Sequence, residues 1–319
     1  MSKILITGGA GYIGAHVAAE LLSQGYSVRI YDDFSNGLHR RVDGKFRDVI
    51  DGDILDREKL IQAMQGIDGV IHLAAKKSVE ESVKNPLKYY ENNVGGTLNL
   101  LAAMSVKSVK SLVFSSSAAV YSPNDKDAIE ESDPTIPLSP YGATKLLSEE
   151  LISTVGRAEQ ISHISLRYFN VVGSAFPEFG DNSKDNLVPK VFQALKSGKR
   201  PEIYGTSYTT ADGSCIRDYI HVQDLAKAHI AALKKCESGF TSAIYNVGSG
   251  RGYSVKEMMA QISESLGRDI NPQESPARAG DSPKLIASIE KIKSELAWRP
   301  EASLKEMIDS SWAAESFIS

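Results

Sequence analysis

The chain predicts a doubly wound α/β fold, a parallel sheet covered by helices on both faces. Three observations carry that expectation. Short β-rich runs alternate with amphipathic helical stretches through the first half, and right-handed crossovers are the practical way to connect parallel strands. The runs are apolar almost throughout, as strands buried on both faces require. A glycine-rich turn follows the first run directly and opens the first helix.

In order, the expected strands are "KILIT", "SVRIY", a third ending before "DGDILD", "GVIHLA", "SLVFSSS" and "ISHISLRYF". The helices between them are "YIGAHVAAELLSQ", "DREKLIQAMQ", "PLKYYENNVGGTLNLLAAMS" and "SPYGATKLLSEELIST", each with apolar residues at helical spacing. From about residue 169 the texture changes to long polar loops such as "GSAFPEFGDNSKD", "GTSYTTADGSC" and "SPARAGDSP". In open α/β sheets ligands lie beyond the carboxyl ends of the strands, so such loops build a pocket there. The expected division is a dinucleotide-binding domain over 1–168 and a mainly substrate-binding region over 169–319. "CIRDYIHVQDLAKAHIAAL" and "AIYNVGSG" read as further βα units returning to the sheet.

Composition narrows the function. With 319 residues, 42% hydrophobic and 24% charged, the chain is an ordinary globular one that can bury a large core. A net charge of -4 with scattered lysines and arginines offers no footprint for nucleic acid. No apolar run is long enough to span a bilayer, so no membrane partner is expected. Cys215 and Cys236 stand in separate segments without metal-ligand spacing, which predicts two packing residues and no metal. The first residues run straight into a strand without a leader pattern, and the cytoplasm is the expected compartment.

Gly8, Gly9, Gly11 and Gly14 lie between the first strand and the first helix. Gly8 allows the tight turn, Gly11 lets backbone approach a pyrophosphate, and Gly14 lets helix and strand pack closely, with Tyr12 and Ile13 at the helix mouth. This is the dinucleotide-binding signature of a Rossmann sheet. Asp32 ends the second strand where an acid bonds the adenosine ribose hydroxyls, and Asn36 follows. A carboxylate there would repel a 2′-phosphate, so NAD is the expected cofactor and NADP is not. Arg40 and Arg41, further along a loop, are expected to be solvated. Asp53 and Ile54 are expected to bracket the adenine, and Leu73, Ala74 and Ala75 to line the pyrophosphate and nicotinamide ribose.

"SPYGATK" places Tyr141 four residues before Lys145. Ser139 caps the helix and Pro140 takes its first turn, so Tyr141 and Lys145 share one face. An ammonium beside a phenol favours the phenolate, which predicts a usable base near neutral pH. Ser115, Ser116 and Ser117 emerge at the same sheet edge. Beside a nicotinamide, such a set removes hydride from a secondary alcohol.

This combination resembles the extended short-chain dehydrogenase/reductase family, and within it the nucleotide-sugar 4-epimerases. The matching stretches span nearly the whole chain: "GGAGYIGAH", "VIHLAAKKSVEESVKNPLKYYENNVGGTLNLL", "FSSSAAVY", "SPYGATK", "LRYFNVVG", "NLVPKV", "DGSCIRDYIHVQDLA", "YNVGSG" and "RAGDSP". The resemblance implies Tyr141 as base, Lys145 as its electrostatic partner and nicotinamide ribose ligand, and Ser117 as bridging hydroxyl. It implies Lys77, Asn93, Ser115 and Tyr168 on the cofactor side. For a UDP-sugar it implies Asn170, Asn186, Leu187, Arg217 and Arg278, with Tyr219 and Asp281 holding the loops. A diphosphate carries two negative charges, which arginines bind bidentately. The expected partners are a UDP-sugar and a second copy of the chain, paired through the helix of "PLKYYENNVGGTLNLLAAMS" and the one after Tyr141.

The chain departs from that pattern at Val171, where many members have proline, and at Ser122, where glycine is usual. Leu285 occupies a position where strict UDP-glucose/galactose members carry tyrosine and those admitting N-acetyl sugars carry something smaller. A related 4,6-dehydratase would need an Asp-Glu pair straight after the strand hydroxyl, and here Ala118 and Ala119 follow Ser117.

Overall fold

The computed structural model describes residues 2–122, 126–278 and 281–318, so Ala279 and Gly280 of "RAGDSP" lie outside the described residues. The strands are β1 (Lys3–Thr7), β2 (Ser27–Asp32), β3 (Val49–Asp51), β4 (Gly69–His72), β5 (Ser111–Ser117), β6 (Ser162–Tyr168), β7 (Asn170–Val172), β8 (Glu202–Tyr204), β9 (Ile216–His221), β10 (Ser242–Val247), β11 (Gly252–Ser254), β12 (Gln273–Ser275) and β13 (Lys284–Leu285). Seven form the central sheet in the order β10-β6-β5-β4-β1-β2-β3. Every neighbouring pair in it is parallel. The order reverses between β1 and β4, and this switch opens a crevice at the strands' carboxyl ends. Strand β10, from "AIYNVGSG", returns to this sheet beside β6. Strand β9, from "CIRDYIH", instead joins β7, β11 and β13 in a separate small sheet.

The helices in chain order are α1 (Tyr12–Ser23), α2 (His39–Val42), α3 (Arg57–Ala63), α4 (Val79–Lys84), α5 (Pro86–Tyr89), α6 (Gly96–Lys107), α7 (Pro140–Glu159), α8 (Leu187–Lys196), α9 (Val222–Glu237), α10 (Val255–Leu266), α11 (Glu290–Leu296) and α12 (Leu304–Ile318). Side chains alternate across each strand. Ile4, Ile6 and Val113 therefore pack toward α1 and α9, while Leu5, Leu112 and Phe114 pack toward α3, α6 and α7. A third apolar cluster joins α8, α10 and α12 to β9. The stretch expected as one helix over 86–105 is α5 and α6 joined by a π-helical turn, Tyr90–Gly95. Asn93 lies in that turn, and its side chain ties down the Lys76 backbone with Nδ2–O 3.0 Å and N–Oδ1 2.8 Å.

Alternation also organises β9. Arg217 and Tyr219 line the cleft, whereas Asp218 between them turns inward and is fully buried. Its carboxylate accepts from Ser249 N at 2.6 Å, Ser249 Oγ at 2.7 Å, Gly250 N at 3.0 Å and Ala287 N at 3.1 Å. Burial pushes this carboxyl up to about 6, against the pull of those bonds. One buried acid thus pins the "GSG" loop and the segment after β13 to the strand that carries Arg217.

A second seam joins the glycine turn to the loop before α8. The Tyr12 hydroxyl donates to Gly173 O at 2.5 Å, and His16 Nε2 accepts from Ala175 N at 3.1 Å. Arg41, expected on the surface, is 1% exposed. It donates to Gly180 O at 2.6 Å and Asn182 Oδ1 at 2.8 Å, with Ala10 O at 3.4 Å on the other side. The expectation fails because these carbonyls replace water around the guanidinium, and Asp181 adds an opposing charge. Arg40 is half-buried. Arg41→Ala would strand those acceptors, and we expect a loss of about 2–4 kcal/mol in unfolding free energy by urea denaturation. A change within about 0.5 kcal/mol, typical of surface positions, would show that the seam does not hold the loop.

Candidate functional site

Helix α7 starts as its sequence dictates. Ser139 Oγ accepts from Gly142 N at 3.2 Å, and Pro140 fills the first position. Gly142 must lack a side chain, since a Cβ there would stand 2.2 Å from Ala119 O. This close approach jams the helix start against the exit of β5 and brings Tyr141 onto Ser117. Together they face a cleft of about 440 Å³ whose walls come from both halves of the chain: Tyr12, Ile13, Lys77, Ser117, Tyr141, Tyr168, Asn170, Asn186, Leu187, Arg217, Arg278, Asp281 and Leu285.

The serines of β5 have three fates. Ser117 stands with Tyr141 on the cleft wall, its hydroxyl accepting from Ala119 N at 3.1 Å and acting on the Tyr141 phenol. Ser116 donates to Glu149 inside the protein. Ser115, expected on the cofactor side, is fully buried, its hydroxyl 2.8 Å from His229 Nε2. That expectation is corrected by strand alternation, which turns Ser115 toward α9. Its carbonyl matters more, because Lys145 Nζ donates to it at 2.8 Å.

The electrostatics revise a second expectation. Burial raises the Tyr141 phenol above its ordinary value of 10.0, and the Ser117 hydroxyl is what pulls it down. Lys145 lies over the Phe114 ring at 4.9 Å, and burial pushes its ammonium down to about 7 while Glu149 pulls it up. In a dry site desolvation penalises both charged forms, so spacing on one helical face does not by itself create a phenolate.

A dinucleotide fits the other side of the crevice. Gly8 has φ of 74°, and a Cβ on it would meet Ala74 N at 2.7 Å. A Cβ on Gly14 would meet Gly8 O at 2.2 Å, so the turn closes only with glycine. Helix α1 begins at Gly11 with no side-chain cap, which leaves its first-turn N–H groups for a phosphate. Asp32, 5% exposed, accepts from Ala10 N and Phe34 N, both at 2.9 Å, leaving one lone pair on each oxygen for a ribose hydroxyl. Leu73, Ala74 and Ala75 are half-buried beside Gly8, and Asn36 is exposed past β2. Two expectations change. Ile54 is buried against Gly96, so only its backbone is left to border an adenine, whereas the Asp53 side chain is exposed and uses one oxygen to accept from Leu55 N at 2.8 Å. The Asn93 amide is spent on Lys76 and on Thr144 Oγ1 at 3.0 Å, so it shapes the Lys76–Lys77 segment from behind.

Toward the second half the cleft wall carries two arginines, Arg217 and Arg278, among the acids Asp181, Asp185, Glu202 and Asp281. Arg217 donates to Ser282 O at 2.7 Å and pairs with Asp281 at 3.3 Å. Arg278 lies over the Tyr204 ring at 4.0 Å. Helix α8 opens at Asn186 with no side-chain cap, because Asn186 Nδ2 donates to Asp181 Oδ2 at 2.6 Å instead. Two arginines and a free helix N-terminus suit a diphosphate. Asn170 is exposed on β7, and Leu285 sits on β13 opposite Arg217. Sequence reasoning missed Asp218, Glu149 and Arg167. Glu149 stands at helical spacing from Lys145, and that was the signal available.

The family model described as "NAD dependent epimerase/dehydratase family" matches residues 4–248. The UDP-glucose 4-epimerase of Corynebacterium glutamicum is 43% identical, over 99% of this chain and 96% of its own. Among solved structures, the UDP-glucose-4-epimerase of Stenotrophomonas maltophila, with bound NAD and formylated UDP-arabinopyranose, superposes with a TM-score of 0.94 at 36% identity, covering 99% and 98% of the two chains. The UDP-Glc/GlcNAc 4-epimerase of Campylobacter jejuni superposes with a TM-score of 0.87 at 35% identity, covering 99% of each. With cleft, glycine turn and full-length likeness in agreement, this chain belongs to the NAD dependent epimerase/dehydratase family.

Proposed function

We propose that the protein is an NAD-dependent epimerase that interconverts UDP-glucose and UDP-galactose by inverting C4. The observation that carries this is the placement of Ser117 and Tyr141 at the mouth of a dinucleotide crevice, across one cleft from Arg217 and Arg278. Arg217, Arg278 and the α8 N-terminus hold the diphosphate. Asn186, Leu187 and Asn170 border the sugar nucleotide, and Asp281 steadies Arg217. Tyr141 takes the O4 proton through or beside Ser117 and later returns it. Held in the crevice by the glycine turn, Asp32 and Lys145, NAD would supply a positive charge that favours the Tyr141 phenolate and a reversible hydride acceptor for C4. Lys145 orients the nicotinamide ribose, Asp32 the adenosine ribose. The diphosphate is gripped and the hexose is not, so remote binding holds the ring without fixing which face it presents.

Elimination of water is disfavoured, because Ala118 and Ala119 follow Ser117 where a dehydratase needs an acid and a base. A second reading concerns substrate range: Leu285 borders the cleft and is smaller than tyrosine, so UDP-GalNAc and UDP-GlcNAc join the proposed substrates. We also infer a homodimer, supported by exposed Leu98 and Val106 on α6 and Leu147 on the adjoining α7. A cytoplasmic location accords with two buried, unpaired cysteines, Cys215 and Cys236.

Purified protein mixed with UDP-galactose and no added cofactor should form UDP-glucose; accumulation of free NADH instead would indicate a simple dehydrogenase. Tyr141→Phe should keep the fold and the dinucleotide yet lose at least about a thousandfold in kcat. UDP-GalNAc should be turned over more slowly than UDP-galactose, and no product at high enzyme concentration ends the second reading. Size-exclusion with light scattering should give twice the 34.6 kDa chain mass, and Leu98→Glu should shift it toward the monomer.

A further inference from the structure

Behind the cleft wall lies a buried polar cluster that this scheme leaves unused. Glu149 stands one turn past Lys145 on the same face of α7 and is 5% exposed. Arg167 on β6 grips it with Nε–Oε1 at 3.0 Å and Nη2–Oε2 at 2.6 Å, and the Ser116 hydroxyl donates to it as well. Arg167 Nη1 also donates to the Tyr121 hydroxyl at 2.9 Å, which donates in turn to Asn246 Oδ1 at 2.7 Å on β10. The carboxylate is thus locked from two strands, β5 and β6, and the Arg167 that holds it is braced in turn by Tyr121. Its grip on Ser116 fixes the residue between the Ser115 carbonyl, which holds Lys145, and Ser117, which acts on Tyr141. A buried ion pair is seldom more stabilising than apolar packing of the same volume, so this one calls for a reason other than stability.

We propose that Glu149 is a positioning residue for this reaction: it braces the end of β5 against α7 and supplies the counter-charge that keeps Lys145 an ammonium in a site without water. The inference rests on the epimerase reading. Around Lys145, His72 from β4 is neutral through burial, and the Tyr141 and Tyr168 phenols are held neutral the same way. Around Glu149 the charged neighbour is Arg167, with Tyr121 beside it. Among the described residues, Glu149 is the carboxylate whose charge acts on Lys145. Burial pushes the Lys145 ammonium down, and Glu149 opposes that shift. Without the carboxylate, Lys145 would give up its proton at lower pH, and the alkaline side of the rate profile would follow.

The test is the pH dependence of kcat/KM for UDP-galactose in the holoenzyme. Glu149→Gln should move the alkaline limb down by about one pH unit and leave KM within about twofold, because the diphosphate grip is untouched. Ser116→Ala keeps the ion pair, so its limb should stay in place while the rate falls a few-fold. If Glu149→Gln alone fails to fold, the double variant Glu149→Gln/Arg167→Met removes both buried charges and should show the downward shift. An unmoved limb in the folded variant, whatever its rate, overturns the proposal, as does an equal shift in Ser116→Ala. Turnover of UDP-galactose by the unaltered protein in the same series tests the epimerase reading separately.

Discussion

Exclusion of water from the junction of β5 and α7 is the constraint on which the site depends. Gly142 lets the helix start touch the strand exit, and that contact buries a phenol and an ammonium within one turn of each other. In bulk water both groups would titrate near 10, and neither would respond much to its neighbours. Dried out, each is reluctant to carry charge, and every fixed dipole or ion nearby gains leverage. The Ser115 carbonyl, the Phe114 face and the locked carboxylate behind them then decide which form survives. The scaffold therefore leaves the phenol protonated, and in the proposed reaction its ionisation awaits a cationic ligand in the crevice.

The rest of the molecule serves that junction by fixing what surrounds it. Asp218 and Arg41 are the clearest cases, a buried acid and a buried base used as backbone receptors in place of partners for each other. The first collects three N–H groups and a hydroxyl from two loops beside Arg217. The second bridges the glycine turn to the loop leading into α8. Both tie the loop-rich half to the sheet by polar contacts, beside an apolar cluster that joins Phe179, Ile220 and Ala287 to Ile4 and Ile6.

Much of this was legible in the chain. Alternating apolar runs announced the parallel sheet, and "GGAGYIG" with Asp32 announced the tight turn and the acid at the end of β2, because glycine requirements and strand ends are local properties. "SPYG" announced its helix start for the same reason. What stayed hidden was long-range and set by burial. Arg41 reads as a surface residue until Gly180 and Asn182, far along the chain, close over it. Ser115 and Ile54 look like ligand contacts by proximity in sequence, yet alternation and packing turn their side chains inward. The Tyr141–Lys145 pairing was visible as spacing, but the sign of their shifts depends on desolvation, which no spacing reveals.

The most direct measurement is a spectroscopic titration of Tyr141, taken as the difference in tyrosinate absorbance between the protein and Tyr141→Phe, with the dinucleotide bound and after its removal. The phenol should ionise above its ordinary range in the stripped protein and below it in the loaded one. A Tyr141 that stays protonated above pH 10 with oxidised dinucleotide in place would contradict it.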